Sequence, residues 1–476
     1  MDSRQRKTKI IATIGPATNT FEQLEKLYFA GVNVFRLNFS HGTHENHEKV
    51  INYTQQLNQK YNSHISLIAD LQGPKLRVGN IKDNAAILRE GAIIKVTTSP
   101  VLGTADLIDV TYQSLAKDVQ VGEQILIDDG KISLEVLETN RKDLVTCKVV
   151  EGGVLSSRKG FNLPDTNISL PSLTDKDKED LDFILKHPVN WIALSFVREA
   201  KEIENLRLIL TARSSHAKII AKIEKPEAVQ NIDGIINSSD AVMVARGDLA
   251  VEIPMEEMAI VQKDIVKKCI KRAKPVIIAT QVMESMLEMS RPTRAEITDV
   301  SNTVLDGADA IMLSGETSVG KYPIKVIETI VKIIKKVEAQ SDIYYRDKSV
   351  LADSPTFYSD AICFNACRIA HDVDAKCINA MTYSGYTGFT LASYRPKAQL
   401  YIFTSNRLLI ETLSLVWGTT CFYYDSFEST DESIEDVIQI LKEEDLVDSG
   451  DIIINTGSMP IRGRGRTNMI KLTQVS

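Results

Sequence analysis

Lys222 and Glu224 stand two residues apart at the end of the apolar run KIIAKIE. If that run is a strand, their side chains share one face. A lysine and a glutamate projecting together need partners or ligands. Asp248 closes the next run, AVMVARGDL, and would bring a second carboxylate toward Glu224. Two carboxylates beside an uncommitted lysine suit a hard divalent cation with a phosphate next to it. Similar runs end in Arg36, Asn38 and Ser40, in Asp70, Ser195, Arg246 and Thr280, and in Ser314 and Glu316. Strands also end in polar residues because water begins there, so the set carries more weight than any one member.

The runs that must position these residues number eight: 9–15, 34–40, 67–72, 191–196, 218–224, 241–249, 276–282 and 310–316. Helix signals lie between them. Thr174 with Asp177, and Thr293 with Glu296, have the spacing of capping boxes. Eight strands alternating with helices predict an α/β fold, a (β/α)8 TIM barrel, whose active site gathers at the carboxyl ends of the strands. An open doubly wound sheet has the same alternation, and periodicity alone does not exclude it.

One interval breaks the rhythm. From 73 to about 170, GAIIKVTTS, EQILIDDGKISLEVLE and DLVTCKVV alternate with period two, punctuated by DDG and EGG turns. This predicts a small β-barrel-like lid domain inserted after the third strand. Carried by the third βα loop, it would cover the site and exclude water on closing. The stretch DLQGPKLR (70–77) is then a domain boundary and a site rim together. Beyond a long helix, IKVIETIVKIIKKVEAQ, and a polar linker comes a third α/β segment. The expected division is 1–73 with 171–340 for the barrel, 74–170 for the lid and 341–476 for the C-terminal domain. In that domain TYSGYT (382–387) offers N–H and O–H donors to a phosphate. RGRGR (462–466) is either a solvated loop or a second anion-binding loop facing it.

Composition narrows the class. The 476 residues are 43% hydrophobic and 25% charged, with net charge -7, which suits a soluble multidomain protein and argues against general nucleic-acid binding. No run is long enough to span a membrane. The six scattered cysteines fit a reducing compartment, so a cytoplasmic location is expected. His41, His44 and His47 invite a metal reading, but their segment looks like the start of a solvated helix; Cys363 and Cys367 look like an apolar helix face.

In chain order, RLNFSHG, DLQGPKLR, KGFNLPDTNISLP, KIEKPE, MVARGDLAVE, ATQVMESM, RPTRAE and MLSGETSVGKYP resemble the motifs of the pyruvate kinase family. The likeness is dense from about residue 8 to 335 and looser beyond, at TYSGYTG, YRPKA and RTN. It implies a barrel with a lid and a regulatory domain. It also implies glycolytic transfer of the phosphoryl group of phosphoenolpyruvate to ADP, giving ATP and, after protonation of the enolate, pyruvate. Under this resemblance Glu224 and Asp248 hold Mg²⁺ or Mn²⁺, which bridges phosphoryl and enolate oxygens. Lys222 is the fixed charge beside the transferred phosphoryl. Arg36 and Arg77 hold phosphate oxygens, and His41 contacts the nucleotide. The N–H groups of Gly247 and Asp248 receive the substrate carboxylate if a helix starts there. Thr280 lies near the protonated carbon and acts through water.

K⁺-dependent members bind K⁺ through residues matching Asn38, Ser40, Asp70 and the carbonyl of Leu71, and carry Asp-Thr-Lys-Gly-Pro-Glu in the turn. Here the turn reads Asp-Leu-Gln-Gly-Pro-Lys, with Val78 where Thr is common. This resembles a K⁺-independent branch. A tethered ammonium carries the charge of the mobile ion, so Lys75 is expected to replace K⁺, pointing into the cleft beside Arg77 if the strand continues. In the regulatory domain, Tyr383 and Ser458 stand where members responding to fructose 1,6-bisphosphate often carry Lys and Trp. Thr382, Ser384, Gly385 and Thr387 still suit one phosphate, and Arg462, Arg464 and Arg466 another anion. A sugar phosphate or similar anionic effector and a homotetramer are expected. Two other readings stay open. A lyase or mutase barrel handling the same substrate would have no use for the lid, Arg77 or His41. A silent paralogue would be expected to lose Lys222, Glu224, Asp248, Arg36 or Thr280.

Overall fold

Eight parallel strands form a closed barrel in the computed structural model, which describes residues 6–340, 343–344, 349–350, 352, 354–426, 429–461 and 465–476. They are β1 (Lys9–Thr13), β2 (Val34–Asn38), β3 (Ser66–Asp70), β4 (Trp191–Leu194), β5 (Lys218–Ile223), β6 (Ala241–Ala245), β7 (Val276–Ala279) and β8 (Ala310–Leu313). All eight apolar runs supply a strand. β1 pairs with both β2 and β8, which excludes the open sheet.

Parity within the strands explains where the polar residues go. Ile11, Val34, Ile68, Trp191, Ile220 and Ile277 fill the interior of the barrel. Their neighbours Ile10, Phe35, Leu67, Ile192, Ile219 and Ile278 pack outward beneath the helices. Two residues further along the inner parity lie Thr13, Arg36, Asp70 and Lys222, and one step beyond come Asn38 and Glu224. Helices Asp175–Ile184 and Arg294–Asp306 open with the expected capping boxes, Thr174 with Asp177 and Thr293 with Glu296.

The lid leaves the barrel after β3. It holds a six-stranded sheet, a two-stranded sheet and its own core, from Leu76 to Ile168. Asp128, Asp129 and Gly130 make the DDG turn with φ of 54°, 57° and 82°. The EGG segment is not a hairpin turn. The strand ending at Glu151 and the one starting at Gly153 belong to different sheets, and Gly152 marks the crossing. A Cβ there would lie 2.4 Å from the Leu88 carbonyl oxygen. One helical turn, Leu115–Asp118, is too short to leave a sequence rhythm.

The lid seats on the barrel rim through groups with no local signature. Lys225 and Glu252 form a buried pair at 2.8 Å, and the other Glu252 oxygen accepts from Asn162 Nδ2 of the lid at 2.8 Å. Arg198 donates to the lid carbonyl of Leu170 at 2.7 Å.

The C-terminal domain has a five-stranded sheet, four strands parallel and the last, Met469–Gln474, antiparallel. It closes the amino-terminal end of the barrel, where Leu415 joins the inner core and Trp191 donates to the Thr412 carbonyl at 3.3 Å. The long helix spans Pro323–Glu338.

Candidate active site

At the barrel mouth Lys222 is fully committed, against the expectation that it would be free. Its Nζ lies 2.8 Å from Glu224 Oε1 and 3.3 Å from Asp70 Oδ1, and donates to Ser195 Oγ at 2.7 Å. Burial opposes its charge, but Asp70 and Glu224 outweigh burial and raise the ammonium above the usual lysine range. Asp70 reaches this point because β3 neighbours both β2 and β4. Its other oxygen takes Arg36 Nη2 at 2.6 Å and Nε at 2.7 Å, while Arg36 Nη1 donates to Thr13 Oγ1 at 2.9 Å. Burial works against ionised Asp70, yet Lys222 and Arg36 hold its carboxyl below the usual range.

Glu224 is buried and raised. Burial is the main cause and the nearby Asp248 charge adds to it, against the pull of Lys222 and the Phe196 N–H that donates at 2.7 Å. Asp248 is exposed, and its carboxylate makes no hydrogen bond or ion pair with the described residues. Two carboxylates that repel each other suit a divalent cation, which would relieve that repulsion. No group of three or more His, Cys, Asp or Glu able to hold a metal occurs among the described residues.

A helix does start beside Asp248, spanning Arg246–Glu252. The Gly247 N–H, however, donates to Thr280 Oγ1 at 2.6 Å, so the Thr280 hydroxyl acts as this helix's N-cap from another loop. The same hydroxyl donates to the Ala279 carbonyl at 2.6 Å.

Family models described as "Pyruvate kinase, barrel domain" and "Pyruvate kinase, alpha/beta domain" match residues 5–327 and 360–473. The chain belongs to the pyruvate kinase family. The pyruvate kinase of Geobacillus stearothermophilus is 41% identical, over 99% of this chain and 81% of that one. That of Corynebacterium glutamicum is 41% identical, over 98% of this chain and 97% of the relative. The crystal structure of a pyruvate kinase from Cryptosporidium parvum superposes with a TM-score of 0.94 at 36% identity, covering 100% of this chain and 97% of that one.

The pyruvate kinase motif around DLQGPKLR does not run on as a strand. β3 ends at Asp70, and Gly73 turns the chain with φ of 67°. Lys75 is exposed, lines the crevice between lid and barrel with Asp248, and stands outside ion-pair distance of Asp70. Arg77 Nη1 donates to the Arg158 carbonyl at 2.9 Å. Both bear on His41: burial lowers its imidazole pKa, and the charges of Lys75, Arg77 and Arg36 lower it further. Arg36, Lys75 and Arg77 thus surround His41 with positive charge and favour its neutral imidazole. Of the remaining expected K⁺ ligands, Asn38 Oδ1 accepts from the Ser40 N–H at 3.1 Å, and the Leu71 carbonyl accepts from Ser195 Oγ at 2.7 Å. A cavity of about 590 Å³ opens beside Arg36, with Asn19, His41 and Ser314 on its walls.

The histidines diverge rather than converge. His44 stacks on Phe183 at 4.4 Å and meets Asp180 at 2.8 Å, while His47 stacks on Phe39 at 4.3 Å and is buried; Glu45, Asn46, Glu48 and Lys49 around them are exposed, so the helix start is solvated apart from these two inward rings. Cys363 and Cys367 lie in a hydrophobic core.

In the C-terminal domain a second cavity, about 430 Å³, is bounded by Thr382, Ser384, Thr387 and, across it, Arg466. Gly385 caps the helix Tyr386–Ser393 with φ of 83°, and a Cβ there would fall 2.5 Å from Leu409 Cδ1. Arg466 donates to the Pro355 carbonyl at 3.1 Å; Arg462 and Arg464 lie outside the described residues.

Sequence reasoning gave no role to Ser195, the hydroxyl linking Lys222 to the Leu71 carbonyl, or to the Phe196 N–H on Glu224. Only their place at the end of β4 marked them.

Proposed function

We propose that this chain transfers the phosphoryl group of phosphoenolpyruvate to ADP, giving ATP and pyruvate. The observation that carries this reading is the meeting of Lys222, Glu224 and Asp70 beside Arg36 at the barrel mouth, with Asp248 on its rim. Full-length likeness to pyruvate kinases supports it. Lys222, kept charged by its carboxylates, faces the transferred phosphoryl. Arg36, anchored by Asp70, keeps donors for phosphate oxygens, and the charges of Lys75 and Arg77 draw the nucleotide phosphates past His41, which contacts the nucleotide. Glu224 and Asp248 would hold Mg²⁺ or Mn²⁺, which supplies charge neutralisation at phosphoryl and enolate oxygens. The helix at Gly247 and Asp248 faces the substrate carboxylate, and Thr280 orients the water that protonates the enolate carbon.

Lys75 replaces K⁺. Its support is the Leu-Gln-Gly-Pro-Lys turn and the place of Lys75 beside Asp248 in the crevice between lid and barrel. The barrel comprises 1–73 and 171–340, the lid 74–170 and the regulatory domain 341–476. The cavity at Thr382, Ser384, Gly385, Thr387 and Arg466, with Arg462 and Arg464 of the same RGRGR sequence, takes a sugar phosphate or similar anion. The protein is a cytoplasmic homotetramer; no described helix is long and apolar enough to cross a membrane.

The test is pyruvate formation from phosphoenolpyruvate, ADP and Mg²⁺, with and without K⁺, for the wild type and Lys75→Glu. Full wild-type activity without K⁺, and a K⁺ requirement in the variant, are expected. A K⁺-dependent wild type would keep the reaction and remove Lys75 from this role. A folded, inactive wild type would leave a silent paralogue.

A further inference from the structure

Two consecutive non-glycine residues at the end of β7 hold left-handed backbone, Thr280 at φ 66° and Gln281 at φ 51°. For a β-branched residue this is a true outlier, kept only where the surroundings impose it. One side chain reaches both carbonyls. Arg246 donates to the Thr280 oxygen from Nε at 3.3 Å and Nη2 at 3.1 Å, and from Nη2 to the Gln281 oxygen at 2.9 Å. Its Nη1 donates to Asp299 Oδ1 at 2.7 Å, on the helix Arg294–Asp306. Arg246 is 8% exposed, so these bonds form out of water. On the other side, the Gly247 N–H holds the Thr280 hydroxyl. Residues 246 and 247 therefore grip the 280–281 turn by its backbone and by its side chain.

We propose that Arg246, oriented by Asp299, is a positioning residue that fixes the Thr280 hydroxyl at the barrel mouth for protonation of the enolate carbon. The inference rests on the phosphotransferase reading above and extends it to two residues to which that reading gives no task. In the step concerned, the enolate electron pair moves to the terminal carbon, a C–H bond forms there, and the ketone of pyruvate is left. The proton comes from a water held by the Thr280 hydroxyl; its O–H bond breaks, and the hydroxide left takes a proton from bulk solvent. Two carbonyls and one carboxylate, approached from different sides, match the planar fork of a guanidinium and not the single point of an ammonium.

By microscopic reversibility, an enzyme that protonates this carbon also exchanges the methyl protons of pyruvate with solvent. Deuterium incorporation into pyruvate, with Mg²⁺ and ATP present, therefore reads the placement of Thr280, and ATP formation from phosphoenolpyruvate and ADP reads phosphoryl transfer. In Arg246→Ala and Arg246→Lys, exchange is expected to fall by about 10²-fold, as for a group displaced by roughly 1 Å. ATP formation should fall less, and the KM for phosphoenolpyruvate should stay within about twofold. Millimolar guanidinium should restore part of the exchange in Arg246→Ala. Equal loss of both activities, or no rescue in a variant that folds as judged by circular dichroism, would overturn the proposal.

Should Arg246→Ala not fold, Asp299→Asn decides, at a side chain that is 36% exposed. A smaller but selective loss of exchange supports the clamp, and unchanged exchange removes it. A wild type that makes no ATP would remove the parent reading and this proposal together. A working wild type beside unselective variants removes the proposal alone.

Discussion

The two ends of the barrel each bury lysines, and they treat them oppositely. At the mouth, Lys222 meets Asp70 and Glu224, and its ammonium is held above the usual range. At the floor, Lys7 donates Nζ to the Ala398 carbonyl at 2.8 Å and lies 5.5 Å from the Trp417 ring centroid. Burial pushes Lys7 down to about 7, and the nearby Glu338 does not compensate. Lys9, on the Thr419 carbonyl at 2.7 Å, is pushed down to about 8 for the same reason. Both Glu338 oxygens already accept backbone N–H groups, from Lys7 and Thr8. Burial alone thus does not set the charge of a lysine; the formal charge of its partners does. The mouth holds its lysine as a fixed cation, which is the state the proposed chemistry needs. The floor uses lysine stems and a soft charge to seat the C-terminal domain.

The largest break in this comparison is Lys222→Met. Catalytic efficiency is expected to fall on the order of 10³-fold, the scale of losing one preorganised charge at a reacting oxygen. Lys7→Met should stay within a few-fold of wild type. Steady-state rates on both, with melting curves to confirm folding, check this. Equal losses would mean that the mouth lysine is no more chemical than the floor lysine.

The floor also holds a buried ion pair, which sharpens the contrast. Arg395 Nη2 meets Asp309 Oδ2 at 2.8 Å, and both side chains are buried. Asp309 also accepts the N–H groups of Val276 and Trp417, tying the start of β7 to the C-terminal domain. Arg395→Leu leaves that carboxylate buried without its counter-charge and should cost about 3 to 5 kcal/mol in urea unfolding, with catalysis nearly intact in the folded fraction. A loss below about 1 kcal/mol would show that the backbone donors alone hold Asp309.

How much of this was legible in the sequence follows range. Alternation within eight runs was readable because the period of two is local, and it already put Lys222 and Glu224 on one face. The capping boxes were readable for the same reason. Lys222 was misread as uncommitted because Asp70 reaches it from a distant strand. The Lys75 strand was misread because Gly73 turns the chain left-handed. The Asn162–Glu252 contact of lid with rim and the grip of Arg246 on Thr280 join residues far apart in sequence, with no pattern at either end. Lys7 and Lys9, just before and at the start of β1, carry no local pattern that marks their burial, because it comes from the distant C-terminal domain.

The finest test of the comparison is the pH dependence of the floor. Above about pH 10.5 Lys7 is neutral in both folded and unfolded chains, and its burial costs nothing extra. Between about 10.5 and 7 the unfolded chain binds a proton that the folded chain does not, so stability falls as pH falls, by at most about 1.4 kcal/mol per pH unit. Below about 7 the loss is complete. The unfolding midpoint of the wild type should therefore rise between pH 7 and 9, with Lys9 adding the same sign over its smaller window. Lys7→Met removes the titrating group while keeping most of the stem that packs near Trp417, and should flatten that rise. A slope unchanged in Lys7→Met would place a charged Lys7 at the floor, and the two ends of the barrel would then handle their lysines alike.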